Sequence, residues 1–315
     1  MRILLDILEK TMYDIIIVGA GPAGLTAAVY ARRAEKSVLI IEKSTFGGQI
    51  TYSPKIENYP AFKEIGGNEL ADLMVEQALE MGAEIELGTV CGVEPCGDGT
   101  KTVTTKEGDS YEAKAVILAT GAKHRMLGVE GEEALVGNGI SFCAVCDGAF
   151  YKGQDVAVIG GGNSALQEAV LLSDTAKTVT LVQNLDFFTG EAGLLEVLKK
   201  KSNVNYITGT TVKGFESENG LLTGLRLAKA DGEESTLAVN GAFVAIGLAP
   251  DNKAFEDVTA LNEWGYFDSG EDCRTCTEGI FVAGDCRQKK IRQITTATAD
   301  GAVAALAACD YIDRM

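Results

Sequence analysis

Tyr13-Asp14-Ile15-Ile16-Ile17-Val18-Gly19-Ala20-Gly21-Pro22-Ala23-Gly24 decides the fold class. Its unbroken apolar run reads as a strand buried on both faces, the pattern of a parallel sheet. A glycine turn follows, then an alanine- and leucine-rich helix, then a second strand over Ser37 to Glu42. A strand, a glycine turn, a helix and an acid at the end of the next strand make up the dinucleotide-binding fingerprint. Gly19 allows the tight turn, Gly21 lets the backbone approach a pyrophosphate, and Gly24 lets helix and strand pack closely. Pro22 and Ala23 open the helix, where a missing N–H costs nothing, and the helix N-terminus offers N–H groups and partial positive charge to phosphates. Glu42 is placed to accept hydrogen bonds from a ribose.

Outward from this stretch, the pattern repeats. Gln154-Asp155-Val156-Ala157-Val158-Ile159-Gly160-Gly161-Gly162-Asn163-Ser164-Ala165 is again a strand, a glycine turn and a helix start, followed by a strand over Thr178 to Val182. In this copy Gly160, Gly162, Asn163, Ser164 and Ala165 are the candidates to meet a pyridine nucleotide. Each copy closes with an apolar strand running into glycine, at Ala115 to Gly121 and Gly241 to Gly247. Leu248-Ala249-Pro250 reads as a crossing back, Gly279 to Asp285 as a strand ending in an acid, and Thr295 to Asp310 as a helix. This tail has no glycine turn of its own. The expected architecture is α/β, with two Rossmann-like three-layer domains, the second inserted in the first. The first is discontinuous (12–124 and 249–315), 125–248 is the insertion, and 1–11 is an extension or a misplaced start.

At 315 residues, the length suits two domains of about 150 residues each. With 28 Lys+Arg against 45 Asp+Glu, the formal net charge is −17. That charge repels phosphate backbones and anionic lipid, so nucleic acid and membranes are not expected partners. No apolar run approaches the ~18 residues of a membrane span, and the start lacks a signal-peptide pattern. Eight cysteines scattered through the chain do not form a disulfide scaffold, so a cytoplasmic location is expected.

Cys143-Ala144-Val145-Cys146-Asp147 lies just before the second Rossmann strand. Two cysteines separated by two residues close a reducible disulfide, and next to a βαβ unit they read as a redox pair. The rival is a zinc site completed by Cys273 and Cys276, but these lie far along the chain, beyond the usual ligand spacing. No metal is expected. Cys273 and Cys276 read as unlinked loop thiols, Cys91, Cys96, Cys286 and Cys309 as small apolar side chains or bystanders, and His124 as a polar loop residue.

Two dinucleotide folds with this motif between them resemble the low-molecular-weight bacterial thioredoxin reductases, over nearly the whole chain. Gly48-Gln49 and Glu57-Asn58 match that family's GGQ and EN elements, Ala119-Thr120-Gly121 its ATG, and Gly284-Asp285 with Arg292-Gln293 its GD and RQ elements. The resemblance implies FAD held by these residues together with the first glycine turn, Glu42, Val90 and Ile294. It implies that Cys146 faces the flavin, that Cys143 attacks a disulfide of thioredoxin, and that Asp147 is the acid/base. A homodimer is a further implication.

One stretch departs from the family. Its NADPH enzymes carry H-R-R-x-x-x-R after the second strand of the inserted domain, where the arginines grip the 2′-phosphate. Here the stretch reads Gln183-Asn184-Leu185-Asp186-Phe187-Phe188-Thr189, with no arginine, no histidine and no strand-end acid. The donor is therefore open: NADH ahead of NADPH, or a reduced protein such as ferredoxin. A non-catalytic FAD-binding subunit is the alternative of another class, and the complete C-A-V-C-D argues against it.

Overall fold

The computed structural model describes residues 12–53 and 55–315, so the extension expected at 1–11 lies outside the described residues. The described residues form two compact units: 12–51, Gly67–Lys123 and Ala249–Met315 make the first, and 52–53 and 55–66 with His124–Leu248 the second.

In the first unit, parallel strands lie in the order Glu84–Leu87, Val38–Glu42, Met12–Val18 and Ser110–Leu118. Ile280–Val282 pairs in parallel with the end of Ser110–Leu118, and Lys101–Thr105 pairs antiparallel with its beginning. The apolar run is continuous because both faces are covered. Ile15, Ile17, Val38 and Ile40 pack with Ala27, Ala28 and Ala31 of the helix Pro22–Arg33 and with Ala304, Ala305 and Ala308 of the helix Ile294–Ile312. Ile16, Leu39 and Ile41 face the other way, onto Val93, Val103, Phe255 and Phe267. Register sets the function of this sheet. Val18 pairs with Ile41 and with Leu118, and Leu118 with Val282, so the strands end together and the segments after them leave from one edge.

The second unit repeats the device. Its sheet runs Val204–Ile207, Thr178–Val182, Asp155–Ile159, Gly241–Val244 and Ile140–Ser141. The helices Asn163–Ser173 and Ala192–Lys199 contribute to the apolar cluster on one face, and the antiparallel strands Thr210–Glu218 and Leu221–Lys229 contribute to a second cluster. Ile159 is level with Val182 and Val244, which brings Gly160, Gln183 and Ala245 to the same edge. Phe243 is level with Ser141, so the chain enters the cysteine motif from that edge as well.

Candidate active site

The first glycine turn is the hub of the first unit. Gly19 has φ +109°, and a Cβ there would sit 2.4 Å from the Ala119 carbonyl oxygen, while one on Gly24 would meet the Gly19 carbonyl at 1.9 Å. The contact at Gly19 brings the Ala119-Thr120-Gly121 turn beside the first. The Gly47 N–H donates to the Ala20 carbonyl at 2.8 Å, which sets Gly48 and Gln49 at the start of a 3-10 helix beside Gly21. A Cβ on Gly284 would meet Ala23 Cβ at 2.8 Å, so the Gly284-Asp285 turn joins the same cluster. At the center, a Cβ on Gly21 would face open space, and Gly21 caps the helix with no side-chain bond. Its first N–H groups are thus suited to an anion.

Glu42 is 7% exposed and its Oε2 accepts the Ala20 N–H at 2.8 Å, while Oε1 accepts the Ser44 N–H at 2.9 Å. Oε1 also accepts the Ser44 hydroxyl, and Oε2 retains a lone pair for a ribose hydroxyl. Thr120 donates to Asn252 Oδ1 at 2.7 Å, and Asn252, nearly inaccessible, donates in turn to the Gly265 and Cys286 carbonyls. Asp285 Oδ1 is buried without a partner, and burial pushes this carboxyl up, with Lys289 and Arg292 opposing. Arg292 stacks over Tyr266 at 4.2 Å and donates to the Asp285 carbonyl at 3.3 Å. Gln293 closes a capping box with Thr296 at the start of the helix that begins at Ile294. Val90 buries its side chain in the core. A buried orphan carboxylate oxygen, an uncapped helix start and an open face at Gly21 fit a dinucleotide. Asn58 lies in Tyr52–Gly66, a segment closed by the Ile56–Ile65 bridge and grouped with the second unit.

Asp300 holds the Gly284 turn in place and was not singled out from the sequence. Its Oδ2 accepts the Gly284 N–H at 3.0 Å, and its carboxylate pairs with Arg287 and Lys289 at 2.8 Å each. An acid four residues from the buried Ala304 in an alanine-rich helix was the available signal. Burial pushes the Asp300 carboxyl up, but the Arg287 and Lys289 contacts outweigh it and the net direction is down. A depressed carboxyl stabilizes the fold above its unfolded value of about 3.9, and that stability is lost as pH falls through the folded value below it. Asp300→Asn leaves two cations buried and costs about 3–5 kcal/mol in urea unfolding at pH 7, with the gap to wild type closing below about pH 4. A loss under about 1 kcal/mol at pH 7 would show a screened, surface-like network.

Cys143 and Cys146 form a disulfide, with Cα atoms 5.3 Å apart. Cys143 caps the short helix Ala144–Asp147, and its Sγ accepts the Cys146 N–H at 3.2 Å. Asp147 Oδ2 accepts from the Ser141 hydroxyl at 2.6 Å, and Oδ1 is buried without a partner. Burial pushes the Asp147 carboxyl up, and the Ser141 bond offsets this only in part. The other six cysteines are thiols. Cys273 is fully buried, and burial pushes its thiol up to about 12, whereas Cys276 is exposed. His124 departs from the polar loop residue expected: it ends the short strand Ala122–His124, stacks on Phe142 at 4.9 Å, and is held neutral by burial, with its pKa lowered to about 4.

The second glycine turn has the geometry of the first, since a Cβ on Gly160 would meet the Ala245 carbonyl at 2.4 Å. Its surroundings differ. Gln183 folds over Gly161, 5% exposed, and spends its amide on the Phe187 carbonyl at 3.2 Å and the Asn184 N–H at 3.1 Å. Glu191 and Asn163 bond each other reciprocally at the helix start, at 2.7 and 3.1 Å. Ser164 is exposed beside them and Ala165 is buried. Lys177 precedes the strand Thr178–Val182 at the opposite edge from Gln183 and is paired with Asp155 at 2.9 Å.

These features coincide with a described family. The model of the pyridine nucleotide-disulphide oxidoreductases matches residues 13–301. The chain is 43% identical over 309 residues to the thioredoxin reductase of Bacillus subtilis, covering 98% of this chain and 97% of that protein. It is 42% identical over 308 residues to that of Listeria monocytogenes, covering 98% and 96%. The crystal structure of thioredoxin reductase from Streptococcus pyogenes superposes with a TM-score of 0.92 at 40% identity, over 98% of this chain and 100% of that one. With two α/β units, paired glycine turns and a Cys143–Cys146 disulfide also present, the chain belongs to the pyridine nucleotide-disulphide oxidoreductases, and within them to the low-molecular-weight bacterial-type thioredoxin reductases.

Proposed function

We propose that this chain reduces the disulfide of thioredoxin with electrons that reach Cys143–Cys146 from FAD, the donor to FAD being NADH at least as readily as NADPH. The disulfide next to the buried Asp147 carboxyl carries this reading. It also argues against a non-catalytic FAD-binding subunit. The first unit, by its glycine turn, Glu42, Gly48, Ala119 to Gly121, Gly284, Asp285 and Arg292, would hold FAD. The inserted region 125–248 carries the redox pair and a turn of pyridine-nucleotide type.

FAD, when bound, supplies the two-electron chemistry that opens the disulfide. The chain's own residues do the rest. The Cys143 thiolate, favored by the Cys146 N–H that its sulfur accepts, attacks one sulfur of the thioredoxin disulfide. The new bond joins Cys143 to thioredoxin, and the electron pair of the broken bond leaves on the second thioredoxin sulfur. The Cys146 thiolate then attacks Cys143 Sγ, re-forming the enzyme disulfide and releasing reduced thioredoxin. Asp147, anchored by Ser141, delivers and collects protons at the leaving and attacking sulfurs.

The absence of cationic side chains from 183–189 favors a second reading of the donor, a low-potential protein such as ferredoxin. A homodimer is supported by the family resemblance alone. A cytoplasmic location is supported by six cysteines left as thiols, and no helix among the described residues is long and apolar enough to cross a membrane.

The purified protein is expected to be yellow, with about one FAD per chain, and to reduce thioredoxin once supplied with a donor. Asp285→Ala removes the buried orphan carboxylate and weakens FAD binding about 10- to 100-fold, the worth of one hydrogen bond to a charged group. Equilibrium dialysis of flavin reads this directly. Colorless protein that takes up no FAD on reconstitution would overturn the assignment.

A further inference from the structure

The helix Asn163–Ser173 lies against the redox motif. Ala144 shares an apolar cluster with Ala165, Leu166, Ala169 and Leu172, and a Cβ on Gly148 would sit 3.1 Å from Leu172 Cδ2. Glu168 stands three residues from Ala165 and four from Leu172, so a carboxylate occupies a position on the helix's apolar stripe. The Ala144 N–H, inside the cysteine motif, favors the charged form of that carboxylate, while Glu168 Oε2 is buried without a partner. Asp147 presents the matching deficit, an unpartnered Oδ1.

The two carboxyls interact electrostatically. Asp147 accepts the Ser141 hydroxyl and acts on the Tyr151 phenol, the Ala144 N–H acts on Glu168, and the disulfide lies in the same short motif as Asp147 and Ala144. Tyr151 stays protonated, pushed up to about 12 by burial and by Asp147. Among the described residues, no lysine or arginine pairs with either carboxyl. Two interacting negative charges in a desolvated place, with no cation paired to either, do not both persist. Burial, then the Asp147 charge, pushes Glu168 up to about 8, so Glu168 is the member that carries the proton at neutral pH.

We propose that Glu168 and Asp147 form a carboxyl pair that carries one proton beside the Cys143–Cys146 disulfide, with Glu168 the positioning residue that holds it and Asp147 the member that exchanges with sulfur. The second half of this proposal rests on the acid/base assignment of Asp147; the first does not. The pair keeps one negative charge rather than two next to sulfurs that must become thiolates, and it keeps a proton in reserve for them.

The oxidized holoenzyme allows a clean test, since its redox cysteines are disulfide-bonded and do not titrate. Infrared difference spectra are expected to show a protonated carboxyl at pH 7 that disappears as pH rises through about 8. Glu168→Gln removes this band while keeping a side chain of the same length and nearly the same shape. Asp147→Asn keeps the band and moves its midpoint to lower pH, because a neighboring negative charge is gone. Asp285, also a raised buried carboxyl, contributes equally to all three proteins and cancels. No loss of band in Glu168→Gln, or an unmoved midpoint in Asp147→Asn, would overturn the pair. Thioredoxin turnover by Asp147→Asn tests the acid/base assignment separately: wild-type turnover there with the midpoint shifted would end that assignment and leave the pair standing.

Discussion

Serine at Cys143 or at Cys146 is expected to reduce thioredoxin turnover by about 10³-fold or more, because each sulfur performs a bond exchange that oxygen cannot replace. The two variants are not equivalent. Cys143→Ser leaves Cys146, the sulfur expected to face the flavin, as a thiolate, and a long-wavelength charge-transfer absorbance with oxidized FAD should appear. Cys146→Ser leaves the attacking sulfur instead and should show no such band. It should still trap thioredoxin as a mixed disulfide through Cys143, because the resolving thiol is missing. Absorbance spectra and non-reducing gels of the two variants read these differences. Full turnover in either variant would move the redox center elsewhere, with Cys273 and Cys276 next in line, although Cys273 is buried and its thiol pushed up to about 12.

The second large effect concerns the donor. A 2′-phosphate held by two or three arginines gains about 1.5–3 kcal/mol from each charge-assisted bond. Their loss corresponds to roughly 100-fold or more in preference for NADPH over NADH. Nothing at the turn compensates. The Gln183 amide is already bonded to Phe187 and Asn184, and Lys177 is held by Asp155 at the other end of its strand. NADH gains no strand-end carboxylate for its ribose, so its binding is weak as well. Anaerobic stopped-flow reduction with NADH, NADPH and reduced ferredoxin is expected to show NADH no worse than NADPH, or slow reduction by both and fast reduction by the protein donor. Arginine at Asn184 and Leu185 should raise NADPH use selectively. A wild-type preference for NADPH of about tenfold or more in kcat/KM, some 1.4 kcal/mol, would mean that a basic group outside this stretch holds the phosphate.

Both glycine turns, their strands and helices, and the redox pair were legible in the sequence. Local rules govern each of them: a strand buried on both faces must be apolar throughout, and only glycine tolerates φ +109° with a carbonyl where Cβ would be. The family motifs could be matched for the same reason, since Gly48, Ala119 and Gly284 each answer a local steric demand at the first turn.

What the sequence determined by itself was therefore the fold class, the repeat and the chemistry of Cys143–Cys146. Three things were decided only by the tertiary structure. Asn58 falls in a segment that the Ile56–Ile65 bridge closes into a loop and that is grouped with the second unit, although it follows the first glycine turn in the chain. Asp300 became the anchor of the Gly284 turn, through charges that come from Arg287 and Lys289 on a different segment. Glu168, on the apolar stripe of its helix but not singled out from the sequence, has a carboxylate oxygen buried without a partner and interacts with the Asp147 charge. Sequence spacing shows which residues share a face, but burial and the partners brought by distant segments decide whether a charge on that face is solvated, paired or left holding a proton.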